Sequence, residues 1–257
     1  MPGGTIHTSQ PLPLKGARNL RDLGGFPFVD ENGATGTTAS GVFLRSGVLT
    51  YLRRSDIDAL IEYGLVRVVD VRSNLELRIW PDPFCKKPRP GVEYVHVPMM
   101  DQMNSNGFQG LLPESMFASY RDLLDDDAEG FRQLMESLDG PGCVLFHCRV
   151  GKDRTGVIAM LLLELAGVPV ENIVADYAAT ERYMGGFLRL QRVAVSILVR
   201  RKVPRCLFEA DPEQMERTIA YLRERYEGAR GYLVGAAGCD PALIDRIVAK
   251  LRGEVAT

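Results

Sequence analysis

The segment Thr155 to Gly167, TGVIAMLLLELAG, puts apolar side chains on nearly every face of a helix and carries Glu164 as its one charge. A helix with no polar face cannot lie at a surface, so it belongs at the centre of a fold with other elements packed around it. It follows, across a short loop, CVLFH (Cys143 to His147), an apolar run of buried-strand type. Further strands are read in GVFLRSG from Gly41, LVRVVDVRS from Leu65 and VEYVHVP from Val92. Between them lie helical stretches: SDIDALIEYG with Ser55 as its cap, then ESMFASYRDLL and AEGFRQLMESL, separated by the acidic run Asp125 to Asp127, read as a solvated break. Beyond Pro169 the chain reads as helices throughout, ENIVADYAATERYM, FLRLQRVAVSILVRR, PEQMERTIAYLRERY and PALIDRIVAKLR. Strands alternating with helices predict an α/β fold, with a mostly parallel sheet of about four or five strands flanked by helices and a helical C-terminal part.

A chain of 257 residues is long enough for one substantial core, and no stretch reads as a linker, so a single domain over 1–257 is expected. Residues 1–40 form an N-terminal arm that turns through ENGATG in a hairpin or loop. The N-terminus lacks the basic start and apolar core of a signal peptide, and the apolar runs stop short of the roughly 18 residues that a membrane span needs. A cytoplasmic protein without an integral membrane segment is expected. The net charge of −2 gives no reason for a nucleic-acid partner. Five cysteines without C-x-x-C pairing read as reduced thiols, neither a disulfide framework nor a zinc ribbon.

The loop between strand and helix, HCRVGKDRTG, carries the chemistry. At such a junction the unpaired N–H groups of the loop and first helical turn converge, and the helix dipole adds positive charge, which makes a cradle for a phosphate-sized anion. Its members are Arg149, Val150, Gly151, Lys152, Asp153, Arg154 and Thr155, with Gly151 permitting the tight turn and Gly156 a close helix contact. Cys148 sits at the mouth, where the same dipoles and Arg154 stabilise a thiolate nucleophile. Arg154 offers a planar fork for two phosphate oxygens, and Thr155 a hydroxyl to the sulfur. The reaction implied is phosphoryl transfer to Cys148 followed by hydrolysis, with no metal and no cofactor. A Walker loop does not fit, because Gly151-Lys152 is followed by Asp153 and position 146 is Phe. A Cys143–Cys148 redox pair fails because five strand steps separate the two by roughly 16 Å.

HCRVGKDRTG matches the H-C-x5-R-[ST]-G signature of protein tyrosine phosphatases and resembles the H-C-x-x-G-K-D-R-T loop of the bacterial PtpB-like tyrosine/serine phosphatases. ARNLRDLGG, LRSG at Leu44, VVDVRSNLE at Val68 and NIVADY at Asn172 extend the resemblance over nearly the whole chain. It implies a protein-tyrosine-phosphatase-like domain acting on phosphomonoesters. In that family the region corresponding to 177–205 resembles a helical lid over the site; here it holds six Lys/Arg between Arg189 and Arg205, and the alternative reading is a solvated helix face with ordinary packing beneath.

Expulsion of an alcohol or phenol needs a proton donor. His147 precedes the nucleophile on the strand and is expected to point away, as a buried residue bonded to the loop. Asp70, at a strand end on the edge where Cys148 emerges, also matches the family's D-[LV]-R-S aspartate, whose alternative role is a turn cap. Asp153 lies inside the loop, as acid or as ion-pair partner of Lys152 or Arg154, and ranks equal with Asp70. Asp82, in a literal WPD triplet, reads equally well as part of a proline turn, and Asp101 is a further candidate. Arg149 and Lys152 add positive charge, which favours substrates with more than one phosphate or carboxylate; both positions are lysine in the loops of phosphoinositide 3-phosphatases. The expected partners are phosphotyrosine or phosphoserine proteins or phosphoinositides. The alternatives are a small soluble phosphomonoester, such as a sugar or nucleoside phosphate, or a non-catalytic phosphate-binding module.

Overall fold

The computed structural model describes residues 6–99, 113–198, 200 and 203–254. In chain order they form β1 (Arg21–Asp22), β2 (Pro27–Val29), β3 (Thr35–Thr37), β4 (Phe43–Ser46), α1 (Arg54–Glu62), β5 (Leu65–Asp70), α2 (Asn74–Ile79), α3 (Pro83–Lys86) and β6 (Glu93–His96). Then follow α4 (Met116–Asp126), α5 (Ala128–Leu138), β7 (Cys143–His147), α6 (Asp153–Leu165), α7 (Val170–Leu198), a 3₁₀ turn at Arg205–Phe208, α8 (Pro212–Tyr226), a π-helical turn at Gly231–Ala236 and α9 (Pro241–Arg252). The main sheet has the order β1-β4-β7-β5-β6. Its last four strands run parallel, and only edge strand β1 is antiparallel, to β4. The expected mostly parallel α/β sheet is thus present. β2 and β3 make the separate hairpin expected of ENGATG, with Gly33 at φ +83°.

Strand β7 explains why the sheet is covered on both faces. Its residues are all buried; Val144 and Phe146 join the core that holds α6, while Cys143 and Leu145 join the one that holds Ile57 and Leu60 of α1. Alternate side chains therefore enter two apolar layers, and the sequence reads as one continuous apolar run. Helix α6 is buried from Arg154 through Leu163, as its lack of a polar face requires.

Register decides where function can sit. Ser46 and Asp70 both pair with His147, so β4, β7 and β5 end level and the chain leaves all three at one edge. Ligand sites in parallel sheets form at that edge.

Two local readings are corrected. Helix α1 starts at Arg54, and the Asp56 carboxylate, not Ser55, accepts from the Arg53 N–H at 2.9 Å. It also accepts from the Lys15 and Gly16 N–H groups, at 3.1 and 3.0 Å, which straps the N-terminal arm to the helix. The two helices read across Met184 and Phe187 are one, because α7 runs through Gly185 and Gly186. Met184 and Leu188 are buried on its inner face, and that packing outweighs a glycine cost of about 1 kcal/mol each.

Candidate active site

The loop after β7 is shaped from behind. Three successive carbonyls are anchored on its outer side: Arg149 O by the Val48 N–H at 2.9 Å, Val150 O by Asn19 Nδ2 at 3.4 Å, and Gly151 O by Asn19 Nδ2 and an Arg45 guanidinium nitrogen, both at 2.9 Å. In a planar trans peptide the N–H points opposite to the C=O, so the amides of Val150, Gly151 and Lys152 turn inward. The Gly151 N–H accordingly donates to Cys148 Sγ at 3.2 Å. Gly151 has φ +76°, and a Cβ there would lie 2.7 Å from the Gly47 N and the Ser46 carbonyl carbon. No other residue fits. Gly156 lets α6 meet Tyr177, whose Cδ2 lies 3.1 Å from where a Cβ would stand.

Behind these anchors is a buried ion cluster. Asp176 of α7 pairs with Arg45, and Arg21 lies 3.5 Å from its other oxygen. Ser9 donates to it, and Arg21 also reaches the Asp176 carbonyl at 2.9 Å. Burial lowers the Arg21 guanidinium to about 10, against the opposing pull of Asp176. The segments ARNLRDLGG, LRSG and NIVADY thus meet at the back of one loop. Asn19, Arg45 and Asp176 were not singled out from sequence, because nothing local marks side chains that pair across more than a hundred residues.

Arg154, on the first turn of α6, is held by Glu76 of α2: its two terminal nitrogens donate to the two carboxylate oxygens at 2.9 and 2.8 Å, and one also donates to Val71 O at 3.1 Å. The side chains are 8% and 3% exposed, so the fork is fixed before any ligand arrives. Burial alone would raise the Glu76 carboxyl, but Arg154 and the Ser73 donors hold it below the ordinary glutamate range. Glu76 also accepts from Ser73 N at 2.9 Å, while Ser73 Oγ accepts from Glu76 N at 3.3 Å. Ser73-x-x-Glu76 is a capping box, legible in the sequence although the role of Glu76 was not read from it.

The acid candidates have separated. Asp70 is fully buried; its oxygens accept from Arg72 Nε at 2.8 Å, an Arg72 terminal nitrogen at 2.6 Å and Tyr94 Oη at 2.9 Å. Burial would raise its carboxyl, but His147, Arg72 and Tyr94 outweigh that and hold it well below the usual range. Both Asp70 oxygens are thus engaged by Arg72 and Tyr94 inside a closed, buried cluster, a setting that favours a structural anion over the acid role expected of it. Asp82 caps α3 through the Phe84 N–H at 2.8 Å and lies 3.4 Å from His147 Nε2; its WPD setting is a proline turn. His147 is buried and bonded to the Cys148 carbonyl through Nδ1 at 3.2 Å, as expected. Burial would lower its imidazole, but Asp70 and Asp82 raise it.

Asp70, Asp82 and His147 stand close enough to share a cation. The Arg72 guanidinium lies against the same two carboxylates, 2.6 Å from Asp70 and 4.0 Å from Asp82. Asp101 lies outside the described residues.

Asp153 differs from these: its side chain is 26% exposed, and it accepts from Tyr120 Oη at 2.7 Å, which in turn lies 2.7 Å from Tyr177 Oη. It also pairs with Lys152 at 3.0 Å, the ion pair expected as its alternative role.

Lys152 requires a correction. Its ammonium is buried and donates to Leu207 O at 3.2 Å and Glu209 O at 3.1 Å, besides the pair with Asp153. An ammonium has three donors, so none is left for a substrate. Sequence showed its charge but not its direction. Arg149 is half-buried with its guanidinium over the Trp80 ring, 4.8 Å from the centroid. Thr155 Oγ1 is buried with no hydrogen-bond partner among the described residues, so the expected bond to sulfur is not made here.

A cysteine beneath inward amides, at the start of a buried helix on the C-terminal edge of a parallel sheet, with a clamped arginine on the next turn, is the arrangement of a cysteine-based phosphatase of the protein-tyrosine-phosphatase-like class. The chain belongs to the tyrosine phosphatase family, whose sequence model matches residues 12–253. It is similar to a tyrosine-protein phosphatase of Nostoc commune, 34% identical over 146 residues, which cover 56% of this chain and 50% of that one. It is also similar to the triple specificity protein phosphatase PtpB of Mycobacterium tuberculosis, 33% identical over 94 residues, 37% of this chain and 32% of that one. The chain spans about half the length of the curated relatives that it matches first. Among solved structures, the chain is similar to P. aeruginosa TpbA, with a TM-score of 0.35 at 16% identity over 83% of this chain and 97% of that one. No helix among the described residues is long and apolar enough to cross a membrane.

Proposed function

We propose that the protein is a phosphomonoester hydrolase working through a phosphocysteine intermediate, carried by one phosphatase domain over the whole chain. Cys148 Sγ attacks phosphorus as the P–O bond to the leaving group breaks; Arg154 and the inward amides hold the equatorial oxygens. Asp153 gives the leaving oxygen its proton, then takes one from the water that releases phosphate. Its partial exposure inside the loop supports this role, and the Tyr120 hydroxyl supports its orientation. The observation that carries the reading is the Gly151 N–H on Cys148 Sγ at 3.2 Å, beside an arginine already fixed by Glu76.

We take phosphotyrosine and phosphoserine proteins or phosphoinositides as the substrates, supported by the family and by the names of the relatives. The described residues of 177–205 are read as a lid by their resemblance to the family, and just beyond them Lys152 of the loop donates to the Leu207 and Glu209 carbonyls. A cytoplasmic site is supported by the free Cys85, Cys143, Cys148 and Cys239. Phosphate release from phosphotyrosine and phosphoserine peptides, phosphoinositides, and sugar and nucleoside monophosphates tests the reading. Turnover of the first two classes is expected, and Cys148→Ser abolishes it; exclusive turnover of soluble metabolites refutes the substrate class, and none at all refutes the enzyme.

A further inference from the structure

The C-terminal half of α7 is apolar on both sides. Met184 and Leu188 are buried in the core, yet Phe187, Leu190, Val193 and Ile197 are 38%, 69%, 50% and 72% exposed. Their spacing of three and four residues lines them up along one outer stripe. Arg182 and Arg189, both exposed, lie on one flank of it, and every charged residue from Arg182 to Phe208 is Lys or Arg. An overall charge of −2 hides this local sign.

The stripe leads to the catalytic loop. The Arg18 guanidinium lies over the rings of both Phe187 and Tyr51, at 4.5 and 5.0 Å. Arg18 O accepts from Gly47 N at 2.9 Å, beside Val150. Thr50 Oγ1 donates to Pro81 O at 3.1 Å, next to Trp80, on which Arg149 rests. Two arginine–aromatic pairs therefore flank the loop, and aliphatic side chains extend from one of them.

We propose that this surface, the outer stripe of α7 with the Arg18 and Arg149 pairs, seats the protein on an anionic lipid bilayer with the loop mouth toward the membrane. Aliphatic groups enter the headgroup boundary, aromatic rings with a polar edge lie at that level, and arginines snorkel to lipid phosphates. The helix lies on the bilayer rather than through it. A second copy fits the stripe poorly, because pairing two such faces sets two all-basic flanks against each other.

The test is pelleting of the full chain with phosphatidylcholine vesicles, with and without a fraction of phosphatidylglycerol. Association with the anionic vesicles alone, weakened by salt, is expected. Leu190→Glu combined with Ile197→Glu weakens it by about a hundredfold, since each buried aliphatic side chain is worth about tenfold. Cys148→Ser binds as wild type does, so a failed hydrolytic reading leaves this result standing. Vesicles with brominated acyl chains quench the single tryptophan, Trp80, in the unaltered protein, a readout that needs no variant. No association with anionic vesicles, association without quenching, partitioning unchanged in the double variant, or dimers that the double variant dissolves would each overturn the proposal.

Discussion

Replacing Glu76 isolates the preorganisation of the site. The Glu76–Arg154 pair is almost fully buried and doubly bonded, at 2.8 and 2.9 Å. Removing one member of such a pair leaves an uncompensated charge and costs about 3–5 kcal/mol. The Val71 carbonyl, still bonded to Arg154, argues for the lower end, so Glu76→Ala is expected to cost about 3 kcal/mol, or a melting shift of about 6–12 °C in a chain of this size. Glu76→Gln keeps the shape and one hydrogen bond and is expected to cost less, about 1.5–3 kcal/mol. Both variants release the arginine fork, so kcat falls by about 10²-fold or more while KM changes less. The Glu76 carboxyl is held below its ordinary value, so its contribution is present above the unfolded glutamate value of about 4.3 and fades as pH falls through the lower folded value. The stability difference between wild type and Glu76→Gln therefore shrinks on acidification. Differential scanning calorimetry across pH, with aryl phosphate kinetics on the same samples, checks this. A Glu76→Ala protein that melts within about 0.5 kcal/mol of wild type and keeps its kcat would refute the clamp.

Asp153→Asn is expected to slow phosphoserine-type substrates by about 10²-fold and p-nitrophenyl phosphate much less, since a good leaving group needs no acid; equal losses on both would refute the role. Asp70→Asn is expected instead to destabilise the fold by about 3–5 kcal/mol, with no such dependence on leaving group in steady-state kinetics. Lys152→Met strands the Leu207 and Glu209 carbonyls and is expected to cost about 1–3 kcal/mol in chemical denaturation, while the preference between singly and multiply phosphorylated substrates stays put. Gly151→Ala meets both a left-handed φ and a backbone clash at 2.7 Å; a loss above about 2 kcal/mol with no detectable turnover is expected, and a folded, active variant would contradict the loop geometry.

What could be read ahead of the structure was whatever is written in short-range order. The apolar periods of β7 and α6, and the cysteine, glycine and arginine spacing between them, fix a strand, loop and helix because each is a local steric statement. The partners of the loop were not legible, since Glu76 and Arg154 stand 78 positions apart and Arg45 and Gly151 stand 106 apart, and only the sheet register brings them together. Direction was equally hidden. Lys152 looked like pocket charge because its neighbours are basic, yet its ammonium turns to two carbonyls far along the chain. Asp70 and Asp153 ranked equal, the first from its strand end and the second from its place in the loop; one lies in a buried charge cluster with Arg72, Asp82 and His147, the other at a partly open loop. The glycine pair in α7 read as a break because propensity is local, whereas the packing that overrides it is not.

The central assignment is the Cys148 sulfur as nucleophile, and rapid quenching in acid during turnover of an aryl phosphate, followed by peptide mass spectrometry, tests it most directly. A phosphoryl adduct on the Cys148 peptide is predicted, formed at a rate no slower than turnover and missing in Cys148→Ser, which is inactive. Undiminished phosphate release by Cys148→Ser, or an adduct on any other residue, would contradict the account.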